Sequence, residues 1–374
     1  MELKRQPSVH MSIDSVLRKD ALMTDSPRSF IPPYILNRII ARGSERQRSS
    51  AQSTLTHVRT LRHTPRPPTR PPATTLLPPS TRPGLAERSI HDAQGKMLLP
   101  GMPVRVEGQP ATGDPAVDEA YDALGASYDF FWKVHGRDSI DNQGFALIGT
   151  VHYGQEYENA FWNGAQMVFG DGDGEIFERF TRSLDVIGHE LTHGVIESEA
   201  GLLYADQSGA LNESISDVFG VLIKQHVLGQ TAEEADWLIG ADLLAPQIKG
   251  DGLRSMAHPG TAYDDPLLGK DPQPGHMRNF VVTEEDNGGV HINSGIPNRA
   301  FYLAAQALGG FAWQKAGHIW YDTLCDPRLG TQASFSEFAA LTIEQALKRF
   351  GPDEQFAVAQ AWADVGVEPN RESL

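Results

Sequence analysis

Asp185-Val-Ile-Gly-His-Glu-Leu-Thr-His193 is the stretch on which the reading of this chain depends. It holds H-E-x-x-H from His189 to His193 inside a run of helical character. Successive residues of an α-helix turn by about 100°, so two histidines four apart leave one face one turn apart, as two ligands of one metal must. Glu190 stands beside them. Its carboxylate falls over the corner that a tetrahedral catalytic zinc keeps open for water, where it can serve as general base. The same spacing arises by chance in roughly one chain in a hundred of this length, and the histidines would then be satisfied core residues. A third ligand, and groups that hold the imidazoles, are therefore the test.

Asn212-Glu213-Ser-Ile-Ser-Asp217 follows after a Gly-containing loop and again sets two carboxylates, Glu213 and Asp217, four apart. A second helix would present Glu213 as the third zinc ligand, with Asp217 placed to accept the free imidazole N–H of His189 and Asn212 to support His193 in the same way.

His189-Glu-Leu-Thr-His193, Gly209-Ala-Leu-Asn-Glu-Ser-Ile-Ser-Asp-Val-Phe-Gly220 and Asp286-Asn-Gly-Gly-Val-His-Ile-Asn-Ser-Gly295 together resemble the thermolysin family of zinc metalloendopeptidases, from about Ile90 to the C-terminus. The resemblance implies an α+β fold: a mostly β N-terminal half and an α-helical C-terminal half, joined by the central zinc-binding helix. It implies one catalytic zinc ion and cleavage of protein or peptide substrates before large hydrophobic residues, without a covalent intermediate. By residue-wise match, Tyr204 and His291 are donors to the transition-state oxyanion, and Asp286 orients His291. A reaction that places negative charge on a former carbonyl oxygen needs such donors, each typically worth about 10²–10³ in turnover. Glu158-Asn-Ala-Phe-Trp-Asn-Gly164 resembles the edge strand that pairs with the substrate backbone through Asn159 and Ala160. Phe161 and Trp162 also read as plain core aromatics. Arg254 matches the arginine that binds the carbonyl beyond the scissile bond. Phe177, Phe180, Val186, Ile239, Leu243 and Leu253 match the lining of the pocket for the side chain after the cut. All six are apolar, which points to Leu or Phe there, with modest discrimination because one methylene is worth only about 1–3 kcal/mol.

The sequence departs from the family at calcium. Asp185 and Asp236 match two ligands of a double calcium site, but Lys224 and Ala241 stand where acidic residues are expected. An ammonium at Lys224 would take the cation's place, so the double site is expected to be lost. Asp251 preserves one ligand of another site, which leaves calcium dependence in doubt. Gly170-Asp-Gly-Asp-Gly174 fails the EF-hand pattern and reads as a tight turn.

The charge is unevenly spread. The chain has 374 residues and a net charge of −16, yet residues 1–90 hold 15 Lys+Arg against 6 Asp+Glu. A basic head precedes an acidic body, and an acidic partner in the same chain explains this more economically than nucleic acid. Phe30-Ile-Pro-Pro-Tyr-Ile-Leu36 resembles the Pro-Pro-Tyr propeptide of protealysin-like family members, which covers the cleft and is removed on maturation. Residues 64–84, dense in Pro, Thr and Arg, read as a cleavable linker. The expected division is residues 1–85 as propeptide with linker, 86–198 as the β-rich half with the motif helix, and 199–374 as the helical half. Some thirty residues precede Ile31, so Met11 or Met23 are candidate start sites. No signal-peptide or membrane-spanning run is apparent. The family resemblance favours secretion, while a cytoplasmic precursor or non-classical export stays open. A monomer without membrane or nucleic-acid partners is expected. Cys325, the only cysteine, reads as a small core residue. The opposing function is an inactive zinc-containing peptide-binding or inhibitor protein, which would have no need of Glu190, Tyr204 or His291.

Overall fold

The computed structural model describes residues 28–61 and 83–370. The candidate starts at Met11 and Met23, and almost all of the linker, lie outside the described residues. The described head begins with β1 (Arg28–Ser29) and continues into two helices, α1 (Pro33–Arg42) and α2 (Glu45–Leu61). The body opens with β2 (Arg88–Asp92), β3 (Met102–Val106), α3 (Pro115–His135), β4 (Leu147–Val151), β5 (Ala160–Trp162) and β6 (Met167–Phe169). Helices α4 (Leu184–Ser198) and α5 (Asp206–Leu228) then cross the middle of the molecule. Short ribbons β7 (Leu238–Ile239) with β8 (Arg254–Ser255), and β9 (Asp264–Asp265) with β10 (Gly269–Lys270), precede five helices. These are α6 (Asp286–Asn293), α7 (Gly295–Leu308), α8 (Ala316–Leu324), α9 (Phe335–Arg349) and α10 (Pro352–Asp364). Strands thus fill the N-terminal half and helices the C-terminal half, as the sequence implies.

Local signals account for the element ends. Asp114 caps α3 by accepting from Ala116 N and Val117 N, Pro115 takes the first helical position, and Gly136 closes the helix in the left-handed conformation. Ser334 and Glu337 form a capping box at the start of α9. Apolar residues at helical spacing over 334–349 and 356–365 predict core stripes; Phe338, Leu341 and Ile343 are buried accordingly, but Leu347 is 45% exposed. Nine residues after Phe338, at about 100° per residue, it points from the opposite side of the helix. Phe356, also expected in the core, is 71% exposed, because it faces away from Val358, Ala361 and Trp362. Cys325 is half-buried at the end of α8, its thiol pushed up to about 12 chiefly by burial.

The six-stranded sheet runs β1-β5-β6-β4-β2-β3, parallel at β6/β4 and β4/β2 and antiparallel elsewhere. The expected edge strand, β5, is covered by β1. The head is held by apolar burial, with Phe30, Ile31, Ile35, Leu36 and Ile39 at most 1% exposed. Charge adds to this: Arg46 meets Glu156 at 2.6 Å and Glu175 at 2.8 Å, the head-to-body ion pairing that the uneven composition suggests. His57 bridges the hydroxyls of Tyr157 and Tyr153, each at 3.0 Å. No helix among the described residues is long and apolar enough to cross a membrane.

Candidate active site

The site is assembled where α4 and α5 cross. Their backbones approach closely, since a Cβ on Gly220 would strike the Asp185 carbonyl and one on Gly188 would lie 2.9 Å from Ile223. That approach lets side chains from both helices converge within one small volume. His189 and His193, one turn apart on α4, and Glu213 on α5 bring one ligand atom each within 4.8 Å of one another. His189 Nε2, His193 Nε2 and Glu213 Oε2 are buried, and none has a hydrogen-bond partner. Such orphaned lone pairs are costly unless a cation takes them. The remaining imidazole nitrogens are engaged. His189 Nδ1 lies 2.8 Å from Asp217 Oδ1, and His193 Nδ1 lies 2.8 Å from Asn212 Oδ1 and 2.9 Å from Ser216 Oγ. This fixes both rings with Nε2 facing inward, so the donor set fits a tetrahedral zinc with one corner left over.

Electrostatics favour the metal-binding state. Burial first, then the neighbouring His189 ring and the Arg28 guanidinium, hold His193 well below 6.5, which leaves its ring neutral and its lone pair free. Burial of Asp217 would raise its pKa, but Arg254 and His189 outweigh this and hold it low, an anion fixed behind His189. Glu190 is fully buried, with neither carboxylate oxygen hydrogen-bonded. Burial, then Glu213, raise it well above the ordinary carboxylate range.

On the far side stand Tyr204 and His291. Tyr204 donates a short hydrogen bond to Glu213 Oε1 and lies 3.2 Å from His291 Nε2. His291 belongs to the short helix α6 and not to a loop; Asn287, Gly288 and Gly289 bend it through left-handed conformations. This bend lets Asp286 Oδ2 accept from the His291 backbone N–H at 2.9 Å, while its Oδ1 lies 2.7 Å from His291 Nδ1. Burial would lower His291, but Asp286 and Glu213 raise it to about 9.

The apolar residues Phe177, Phe180, Val186, Ile239, Leu243 and Leu253 are at most 2% exposed and share one core cluster with Phe30 of the head. Arg254, opposite Ile239 in the β7–β8 ribbon, forks onto Asp217 at 2.8 and 2.7 Å and lies 4.5 Å from the centre of the Phe30 ring. The Phe30 ring also meets His189 edge-on. Asn159 and Ala160 hold the head backbone: Phe30 N–H donates to Ala160 O at 3.0 Å, Ile31 N–H to Asn159 Oδ1 at 2.8 Å, and Asn159 Nδ2 to Ile31 O at 3.2 Å. Further from the site, Lys224 Nζ lies 3.3 Å from Asp185 Oδ2, 3.0 Å from Asp236 Oδ1 and 3.0 Å from Leu238 O. At the turn after β6, Asp173 Oδ1 accepts from the backbones of Glu175 and Ile176.

Several residues at the site escape sequence reasoning. Ser216 was within reach, being four residues after Asn212 on the same helical face. Asn298, which donates to Asp217 Oδ2 at 2.9 Å, carries no signal because it comes from α7. The same holds for the Asp217–Arg254 fork, which joins residues 37 apart.

Comparison with known proteins agrees with this geometry. Residues 107–197 match the profile described as thermolysin metallopeptidase, catalytic domain, and residues 200–367 that of its alpha-helical domain. Residues 28–70 match the protealysin propeptide profile. An extracellular metalloprotease of Pectobacterium carotovorum is 63% identical over 346 residues, 92% of this chain and 98% of the relative. The protease PrtS of Photorhabdus is 51% identical, covering 94% and 95%. Among solved structures, the precursor of protealysin, a metalloproteinase from Serratia proteamaculans, superimposes with a TM-score of 0.84 at 60% identity over 91% of this chain and 99% of that one. The chain therefore belongs to the thermolysin family of metallopeptidases, as a zinc-dependent endopeptidase made with a protealysin-type propeptide docked on its own catalytic unit.

Proposed function

We propose that the protein hydrolyses peptide bonds on the N-terminal side of large apolar residues, with Glu190 as general base and acid, and that it is made self-inhibited. His189, His193 and Glu213 would hold the zinc, with Asp217, Asn212 and Ser216 fixing the imidazoles. When bound, the ion supplies Lewis acidity to water and to the substrate carbonyl. Glu190 takes the proton of the attacking water and passes it to the leaving amine, a role worth about 10²–10⁴ in rate. Tyr204 and His291 donate to the oxygen on which charge develops, and Asp286 keeps Nε2 of His291 aimed at it. Arg254, with Asn159 and Ala160, holds the extended backbone after the cut, and the pocket from Phe177 to Leu253 takes the apolar side chain.

The observation that carries this reading is the convergence of three unpartnered lone-pair atoms beside an unpartnered, buried Glu190. The uncapped carboxylate has no structural task there, whereas a base needs its lone pairs free. Removal of residues up to about 85, leaving the halves 86–198 and 199–374, would open the cleft. The extracellular names of the relatives suggest that the working enzyme acts outside the cell. Lys224, tethered between Asp185 and Asp236, makes calcium at that position superfluous. The test is cleavage of casein by the processed protein with one zinc bound. Wild type should turn it over, and Glu190→Ala should lose at least about 10²–10⁴ of that rate with zinc content unchanged. Equal cleavage by both would defeat the assignment and favour a binding or inhibitor protein that keeps zinc for structure.

A further inference from the structure

The head lies in the cleft in a definite register. Strand β1 runs antiparallel to β5, with Arg28 opposite Trp162 and Ser29 opposite Phe161. Arg28 Nη1 donates to His193 O at 2.7 Å and so anchors the strand before the site. After it, the Phe30 and Ile31 backbones are held by Ala160 and Asn159, as described above. Between these two anchors the Ser29 carbonyl oxygen lies 3.0 Å from His291 Nε2, which is in turn 3.2 Å from the Tyr204 hydroxyl. The next side chain, Phe30, is fully buried in the apolar cluster beneath Arg254.

These contacts select one peptide bond. A carbonyl aimed at His291, one of the two oxyanion donors, and followed by a large apolar residue is what the proposed reaction requires of a substrate. A slip of one residue would turn every side chain of the strand to the opposite face and take Phe30 out of its pocket. We propose that Ser29–Phe30 is a processing site cut by the protein's own cleft; the inference rests on the protease reading above. One water is consumed. Its oxygen bonds to the Ser29 carbonyl carbon, the Ser29–Phe30 C–N bond breaks, Ser29 leaves as a carboxylate, and Phe30 leaves with an ammonium group whose two new protons are those of the water, carried by way of Glu190. The cut leaves Phe30 to Leu61 docked, because the buried contacts of Ile31, Ile35, Leu36 and Ile39 lie beyond it.

The experiment adds zinc to the metal-free full chain and follows intact mass and N-terminal sequence, with casein hydrolysis measured in parallel. A chain cut after Ser29 should appear from wild type, beginning Phe-Ile-Pro-Pro-Tyr, and from Phe30→Leu, with leucine in first place, and not from Phe30→Asp or Glu190→Ala. A readout without self-cleavage uses Glu190→Ala and added trypsin, which attacks after Arg28 only when that residue leaves the cleft. Phe30→Asp in that background removes the buried ring and should speed the trypsin cut at least about tenfold. Wild type that hydrolyses casein but never yields a Phe30 terminus overturns the inference alone, as does a trypsin rate indifferent to Phe30→Asp. Wild type that leaves casein untouched defeats the protease reading and the inference with it.

Discussion

Helices α4 and α5 carry two clusters that ask for positive charge, and they meet the demand in opposite ways. Near one end of the pair, His189, His193 and Glu213 present lone pairs that no group of the described chain fills. Near the other end, Asp185 of α4 faces Lys224 of α5, and the ammonium sits among two carboxylates and a carbonyl. The difference follows from what each place must do. A reaction centre needs a cation with a corner open to substrate and water, which an ammonium with three fixed donors cannot offer. A cluster that only has to neutralise a buried Asp185 loses nothing by using a side chain.

The comparison can be broken most decisively at the first cluster. His193→Ala removes one of three ligands; bound zinc, measured by metal analysis, should fall well below one per chain. Casein turnover should drop by about 10³ or more, because the ion supplies several kcal/mol of transition-state stabilisation. At the second cluster the expected loss is in stability and not in chemistry. Lys224→Ala, made in the Glu190→Ala background so that the chain stays intact, leaves Asp185, whose side chain is 1% exposed, with its hydrogen bonds from Ser183, Val186 and Gly240 but without its ammonium. Chemical denaturation should show a loss of about 3 kcal/mol with zinc content unchanged. A loss below about 1 kcal/mol would mean that water or calcium replaces the ammonium at no penalty.

The smallest effect separates the clusters by pH. His193 is depressed below 6.5 in the fold, so its ring stays neutral as pH falls through 6.5, and zinc should be retained there and released only at lower pH. Lys224 is shifted the other way: burial would lower it, but Asp185 and Asp236 raise it above 10.5. Its contribution is therefore complete below 10.5 and is lost only as pH rises through the still higher folded value. The melting-temperature gap between the Lys224→Ala variant and its parent should stay level from pH 6.5 to 10.5 and narrow beyond. Zinc content measured over the same range locates the other limit.

The zinc-holding constellation was legible because its parts are local. Four-residue spacings on two helices place His189 with His193 and Glu213 with Asp217, whatever the rest of the chain does. The halves of the fold follow from the family resemblance, and the start of α9 from its capping box. Position in the cleft was not legible at this level. The Pro-Pro-Tyr stretch resembles a covering segment, but which residue meets His291 depends on the pairing of β1 with β5, more than 130 residues later in the chain. His57 between Tyr153 and Tyr157, and Asn298 behind Asp217, depend on such long-range encounters too. Leu347 and Phe356 show the converse: an apolar residue in a helical run reads as core although its angular position faces water.

A tethered ammonium differs from a dissolved ion in one further respect. The stabilisation that a bound ion gives grows with the logarithm of its free concentration and vanishes on dilution or chelation. Lys224 has no such dependence, because its local concentration is set by the four methylene groups that join its ammonium to α5. The fold around Asp185 therefore draws that part of its stability from the chain itself, in hard water as in soft.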